Sequence, residues 1–128
     1  MQVNANSQSF SSLTSATIKW NFGDLTNYPY TYDSSTGIIT VLYTGTYLFS
    51  VLTRLSNSLC TYTLGLQINT ETPLVLADAS YVNSSESWAR GTLIAQLSAN
   101  DTVKININTP LLSANMTSST LLGLNQLF

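Results

Sequence analysis

Catalysis needs groups that move protons, attack carbon or hold a metal, and this chain of 128 residues carries no histidine. The commonest general base is therefore missing. The carboxylates are Asp24, Asp33, Glu71, Asp78, Glu86 and Asp101, scattered over different polar segments, and each reads as a turn or surface group. Serine is abundant, yet none lies in a Gly-x-Ser-x-Gly elbow or three residues before a lysine. No Asp-x-Asp-x-Asp-Gly run offers a calcium loop. Cys60 is the only cysteine, so no intrachain disulfide exists, and in an apolar run it reads as a small buried hydrophobe rather than an interchain bridge. Trp20 and Trp88 have the chemistry to stack on a sugar, but both fall in strand-like patterns where packing is the better reading. Asn83-Ser84-Ser85, Asn100-Asp101-Thr102 and Asn115-Met116-Thr117 fit the glycosylation sequon, a pattern expected by chance in so Asn-, Ser- and Thr-rich a chain. What remains is binding, with no cofactor called for.

Composition points the same way. Hydrophobic residues make up 44%, enough for a packed core in one domain, while only 8% is charged against roughly 25% in an average soluble protein. Hydroxyls and amides must carry solubility instead, as on secreted fibres, spore coats and virus surfaces. The only cations are Lys19, Arg54, Arg90 and Lys104, with a net charge of −2, which leaves no footprint for nucleic acid. No run approaches 18 apolar residues, so no helical membrane insertion is expected. Met1-Gln2-Val3-Asn4 lacks the basic start and apolar run of a signal peptide, and the chain is expected to be the C-terminal part of a longer protein.

The elements that must position any binding surface are strands. In Tyr32 to Thr53, polar turn residues up to Gly37 give way to Ile38–Tyr43, and a Thr44-Gly45 corner opens Thr46–Thr53. Gly37 and Gly45 are expected to turn the chain through positive φ. Period two sends Tyr47, Phe49 and Val51 to one face and Leu48, Ser50 and Leu52 to the other; with both faces largely apolar, the strand is expected to be covered twice. Ser87–Leu97 sorts likewise, Ala89, Leu93, Ala95 and Leu97 against Arg90, Thr92, Ile94 and Gln96. In Thr102–Asn108, Val103, Ile105 and Ile107 point inward and Lys104, Asn106 and Asn108 outward to water. Further strands are expected near Ser9–Leu13, Ala16–Trp20, Asn27–Tyr32 at an edge because of Pro29, Leu59–Asn69, Leu74–Ala77 and Ser119–Phe128. Tyr81–Glu86 and Pro110–Thr117 are expected loops, and Asn100 ends a strand in the left-handed conformation. About ten short strands and no convincing helical period predict an all-β sandwich or barrel.

The runs Tyr32-Asp33, Thr36-Gly37-Ile38-Ile39-Thr40 and Gly45-Thr46-Tyr47-Leu48-Phe49-Ser50 resemble the globular head of complement component 1q and its tumour necrosis factor relatives. Asn100-Asp101 stands for that family's Gly-Asp turn, and Ser119 to Leu124 resembles its closing strand, with Leu121 and Leu124 in place of aromatics; Leu42 replaces a common proline. The resemblance runs from about Phe10 to Phe128 and implies a ten-stranded jelly roll that assembles as a homotrimer. Residues 1–9 are then a linker from an N-terminal stalk, and 10–128 the jelly-roll domain. The core would hold Tyr47, Phe49, Val51, Leu93, Leu97, Val103, Ile105 and Leu124. The trimer interface would hold Leu48, Ser50, Leu52, Arg90, Thr92, Ile94, Gln96, Leu121, Gly123 and Leu127. Some members bind calcium near the top of the trimer, to which Asp78 or Glu86 would contribute here.

The function this implies is a non-enzymatic, adhesive or recognition head at the tip of a fibrous, collagen-like surface protein, extracellular or exposed on a spore, cell or virion. Its partners would be its own copies and a glycan or protein on a facing surface, met through Ser56–Ser58, Asn69–Pro73, Tyr81–Glu86 and Pro110–Thr117. A coat or capsid jelly roll, or a secreted cytokine- or lectin-like ligand, is the alternative.

Overall fold

A computed structural model describes residues 1–10, 16–56, 62–83, 86–108, 114–116 and 120–128. Thirteen strands and no helix lie among them: β1 (Gln2–Ala5), β2 (Gln8–Phe10), β3 (Ala16–Thr17), β4 (Trp20–Asn21), β5 (Tyr30–Asp33), β6 (Ile38–Val41), β7 (Gly45–Ser56), β8 (Thr63–Ile68), β9 (Leu74–Asn83), β10 (Glu86–Leu97), β11 (Thr102–Asn108), β12 (Ala114–Met116) and β13 (Leu121–Gln126). Ten form one antiparallel path, β4-β1-β13-β7-β10-β9-β8-β11-β6-β5, and the short strands β2, β3 and β12 attach beside it. The path folds into two facing sheets. A front sheet holds β4, β1, β13, β7 and β10; a back sheet holds β8, β11, β6 and β5.

β9 belongs to both. Its first half pairs with β8 through Thr63↔Asp78 to Leu66↔Leu74, and its second half pairs with β10 through Ala89↔Ala79 to Glu86↔Asn83. Within its first half, at the bulge residue Leu76, it passes directly behind Gly91 of β10, where a Cβ would fall inside the Leu76 carbonyl oxygen. Only glycine lets the backbones come so close.

The opposite edges, β4 in front and β5 behind, have no shared strand; the chain crosses there from β3, paired with β11, to β4, paired with β1, and side chains join the edges besides. The Trp20 backbone N–H donates to the Tyr32 hydroxyl at 2.7 Å, and the Tyr30 hydroxyl donates to the Leu124 carbonyl at 3.2 Å. Phe22 lies between them, its ring 4.5 Å from that of Tyr32 and 6.1 Å from that of Tyr30.

The alternation places the core between the sheets. Tyr47, Phe49, Val51, Leu97, Val103, Ile105 and Leu124 are buried, and Leu93 is half-buried against them. Polar atoms enter the core too: the hydroxyls of Thr53 and Tyr62 share a hydrogen bond at 2.8 Å, while the buried Trp20 Nε1 has no hydrogen-bond partner among the described residues.

Several expectations change. Residues 1–9 are not a detached linker, because Gln2–Ala5 is inserted between β13 and β4, with Val3 and Ala5 buried. Ala16–Trp20 is two short strands, and β9 and β10 extend into the expected Tyr81–Glu86 loop; β12 likewise lies within Pro110–Thr117. Asn106 is not on a wet face. β3 covers it, so that it accepts from Thr17 Oγ1 at 3.0 Å and donates to Gln67 at 3.1 Å. Gly37 and Asn100 do adopt positive φ, 78° and 77°, and Asn69 joins them at 54°. Gly45 does not; it is required because the Phe128 carbonyl occupies the place of its Cβ.

Candidate functional site

The side of the front sheet turned away from the core is written by strand register. One row across it reads Asn4, Leu121, Leu52, Arg90; the next reads Gln2, Gly123, Ser50, Thr92; the third reads Asn125, Leu48, Ile94. Gln96 lies beyond, opposite Thr46, and Leu127 donates its backbone N–H to the Thr46 carbonyl at 2.7 Å. Nine of the ten residues assigned to an interface therefore share one strand face, and Leu127 lies at its end. Period two alone sorts the seven on β7 and β10 to this face.

This face is unusual for a surface. Leu48, Leu52 and Leu121 are half-buried, while Ile94 is 60% exposed and Leu127 43%. Small residues hollow its middle: Ser50 stands opposite Gly123, and any Cβ there would meet the Ser50 hydroxyl. The result is an open groove of about 520 Å³ whose walls include Leu52, Leu121, Arg90 and Thr92. Among the described residues Arg90 is the one charged side chain lining it.

The carboxylates do the work of turns. Asp24 accepts from the hydroxyl and the backbone N–H of Thr26, and Asp33 accepts from the hydroxyl of Ser35 at 2.7 Å and its N–H at 2.9 Å. These bonds hold both carboxyl groups below their ordinary value, the side-chain hydroxyl contributing most. Asp101 ties Ser98 and Asn69 together, and Asp78 accepts from Thr63 at 3.1 Å. No group of three possible metal ligands occurs among the described residues. Asp78 has no such company there, and the Glu86 side chain lies outside the described residues, as do Cys60 and the Trp88 side chain. Trp20 is 1% exposed, which rules it out as a stacking platform.

Residues 3–123 match the family model of the C1q domain. The chain belongs to the C1q domain family. Its fold is also that of murine APRIL, with a TM-score of 0.65 at 17% identity over 98% of each chain. Eiger, a TNF from S. frugiperda, gives a TM-score of 0.70 at 19% identity over 100% of this chain and 92% of the other. A search of curated proteins finds no match. Membership places this C1q domain among ligand and recognition modules.

The two ends of the C1q domain are distinct surfaces. At one, Ser56 meets Glu86 and Asn115, and Glu86 meets Asn83. At the other, Gly45 meets Leu97, and Asn69 bonds to Thr102 and Asp101. Strand β7 separates them by roughly 35 Å. The four segments expected to form one binding surface are thus divided, because Asn69–Pro73 lies at the Gly45 end and the described parts of the other three at the Ser56 end. The Gly45 end also holds a second hollow, of about 440 Å³, walled by Tyr28, Tyr43 and Leu42, which the sequence places in expected strands, Asn27–Tyr32 and Ile38–Tyr43, with no sign of a site.

Proposed function

We propose that this C1q domain is the trimerising, adhesive or recognition head of a fibrous, collagen-like surface protein, such as a spore or virion filament. One observation carries the reading. The outward face of the front sheet collects Leu48, Leu52, Ile94 and Leu121, with a groove hollowed between Leu52 and Leu121 by small residues, on a chain that is otherwise sparsely charged and hydroxyl-rich. Apolar surface collected on one sheet face marks an interface. Covering it with two further copies around a three-fold axis is what the family resemblance implies, and a closed ring leaves no copy of the face exposed. The sparse charge supports a role outside the cell, where binding relies on repeated contacts rather than electrostatic steering.

Sedimentation velocity at micromolar concentration tests the assembly. A trimer is expected, with an interface burying roughly 2,000 Å² or more. A well-behaved monomer would overturn the reading.

A further inference from the structure

The hollow at the Gly45 end is lined by Thr26, Asn27, Tyr28, Leu42, Tyr43 and Gln126, together with Pro29. It shares no residue with the groove of the front sheet. Tyr43 is 62% exposed, Leu42 41% and Tyr28 40%. Large side chains in water at one spot need a reason beyond turn formation, since turns are made more cheaply by Asn, Asp, Ser and Gly.

The walls are held in place from behind. The Leu42 N–H donates to the Pro29 carbonyl at 2.8 Å, which ties the two sides of the hollow together. The buried Tyr47 donates its hydroxyl to the Tyr43 carbonyl at 2.6 Å, so Tyr43 stands on an anchored backbone. The Tyr28 N–H donates to the Leu25 carbonyl at 3.0 Å, and its ring rests 5.9 Å from that of the buried Tyr30. A platform fixed in this way loses little freedom when a ligand arrives.

The chemistry of the lining selects the ligand. Two phenols and a leucine supply apolar surface; Thr26, Asn27 and Gln126 supply hydroxyl and amide groups; among the described residues no charged side chain lines it. Gln126 is itself oriented, its amide nitrogen donating to the Phe128 carbonyl at 3.1 Å, with the amide oxygen as an acceptor. A charged ligand would find no counter-ion here, and a wholly apolar one would cover amides without satisfying them. A pyranose ring answers both demands, with a C–H face to lay on an aromatic ring and hydroxyls around its rim. The geometry points to this hollow as a binding site for a neutral sugar, with Tyr43 and Tyr28 as stacking platforms and Asn27 and Gln126 reading the hydroxyls. The proposal names the ligand class of the recognition head proposed above, but the site is complete within one copy of the chain. Three copies on a trimer would turn a weak single-ring contact into avidity.

Isotope-labelled full chain, titrated with the methyl glycosides of glucose, galactose, mannose, rhamnose and N-acetylglucosamine, tests the site by amide chemical shifts. At least one glycoside is expected to move the amides of Tyr28, Tyr43 and Gln126 at millimolar concentration. Tyr43→Ala is expected to weaken that response about tenfold, the size of one lost ring contact, while Tyr43→Phe keeps most of it. With its ring mostly in water, Tyr43 can be changed without unfolding the domain, and an unchanged spectrum elsewhere will verify this. Silence of those three amides with every glycoside, a response confined to other residues, or a response only to a proline-rich peptide run as a counter-probe would overturn the proposal. Sedimentation of the same samples separates the two readings. A monomer that binds sugar supports the site and overturns the trimer; a trimer that binds none overturns the site alone.

Discussion

Leu48 and Phe49 are chain neighbours on β7, and substitutions at the two should fail in opposite ways. Phe49 is 1% exposed and lies between Leu93 on β10 and Leu124 on β13. Removing its ring should cost about 3 to 5 kcal/mol. A domain of this size has roughly 5 to 15 kcal/mol of stability in all, and each kcal/mol corresponds to about 3 to 6 °C in Tm. Phe49→Ala should therefore lower the melting temperature by about 9 to 30 °C or leave the chain unfolded. Leu48 lies on the other face, between Ile94 and Asn125, and is half-buried in the single copy. Leu48→Asp should cost the isolated fold little, while three carboxylates brought together in a desolvated interface would repel and split the trimer. Near-UV circular dichroism and sedimentation velocity at one fixed chain concentration separate the outcomes, since the stability of an assembly depends on concentration. The expected result is a folded monomer for Leu48→Asp, and for Phe49→Ala a loss of folded signal on mild heating. If both variants unfold, or Leu48→Asp remains trimeric, the assignment of the two faces is wrong.

Gly91→Ala should destabilise the fold by about 1 to 3 kcal/mol, because the new methyl group meets backbone that cannot step aside; a denaturant midpoint equal to wild type would show that the close passage of β9 is not needed. Asn100 sits at a φ of 77°, so Asn100→Gly should be neutral and Asn100→Val should lose at least about 1 kcal/mol in the same assay, whereas equal losses would mean that the backbone conformation is not the cause. Burial pushes the Tyr30 phenol from its ordinary value of 10.0 up to about 12 and raises that of Tyr32 as well. Since the folded value lies above the unfolded one, this stabilisation is complete below pH about 10 and is lost as pH rises through about 12, by roughly 2 to 3 kcal/mol for Tyr30. Tyr30→Phe should flatten that alkaline decline in denaturant midpoints measured across the range; an unchanged slope would assign it to other groups.

Alternation along Tyr47–Thr53 and Ser87–Leu97 was legible because it is a local property, and it correctly separated Phe49 from Leu48 and Ala95 from Ile94. What could not be read were features set by residues distant in the chain. Asn106 looks like a solvent residue in its own strand and is buried because Thr17, 89 positions away, pairs beside it on one flank and Gln67 bonds to it from the other. Gln2–Ala5 has the composition of a linker and becomes a strand because β13 and β4 both offer it a ladder. The hollow around Tyr28 and Tyr43 joins two turns and the end of β13, so no single stretch announces it. The division of the expected binding segments between two ends has the same origin, since strand direction, not loop composition, decides where a loop emerges.

The way β9 is shared between the sheets has a dynamic consequence. One side of the sandwich is a continuous backbone spine with a ladder on each flank. At the other the chain crosses between Thr17, paired with β11, and Trp20, paired with β1, and the edges are otherwise fastened by two tyrosine hydroxyls and the Phe22 ring. Partial opening should therefore swing the back sheet about β9 like a cover about a binding, parting β4 from β5 first. Amide hydrogen exchange would record this as a gradient, fastest near Trp20 and Tyr32 and slowest where β8, β9 and β10 meet, with energies rising toward the global value. The outward rows of the front sheet belong to strands on the near cover. Such breathing would open the core at one edge and leave the face proposed to meet other copies undisturbed.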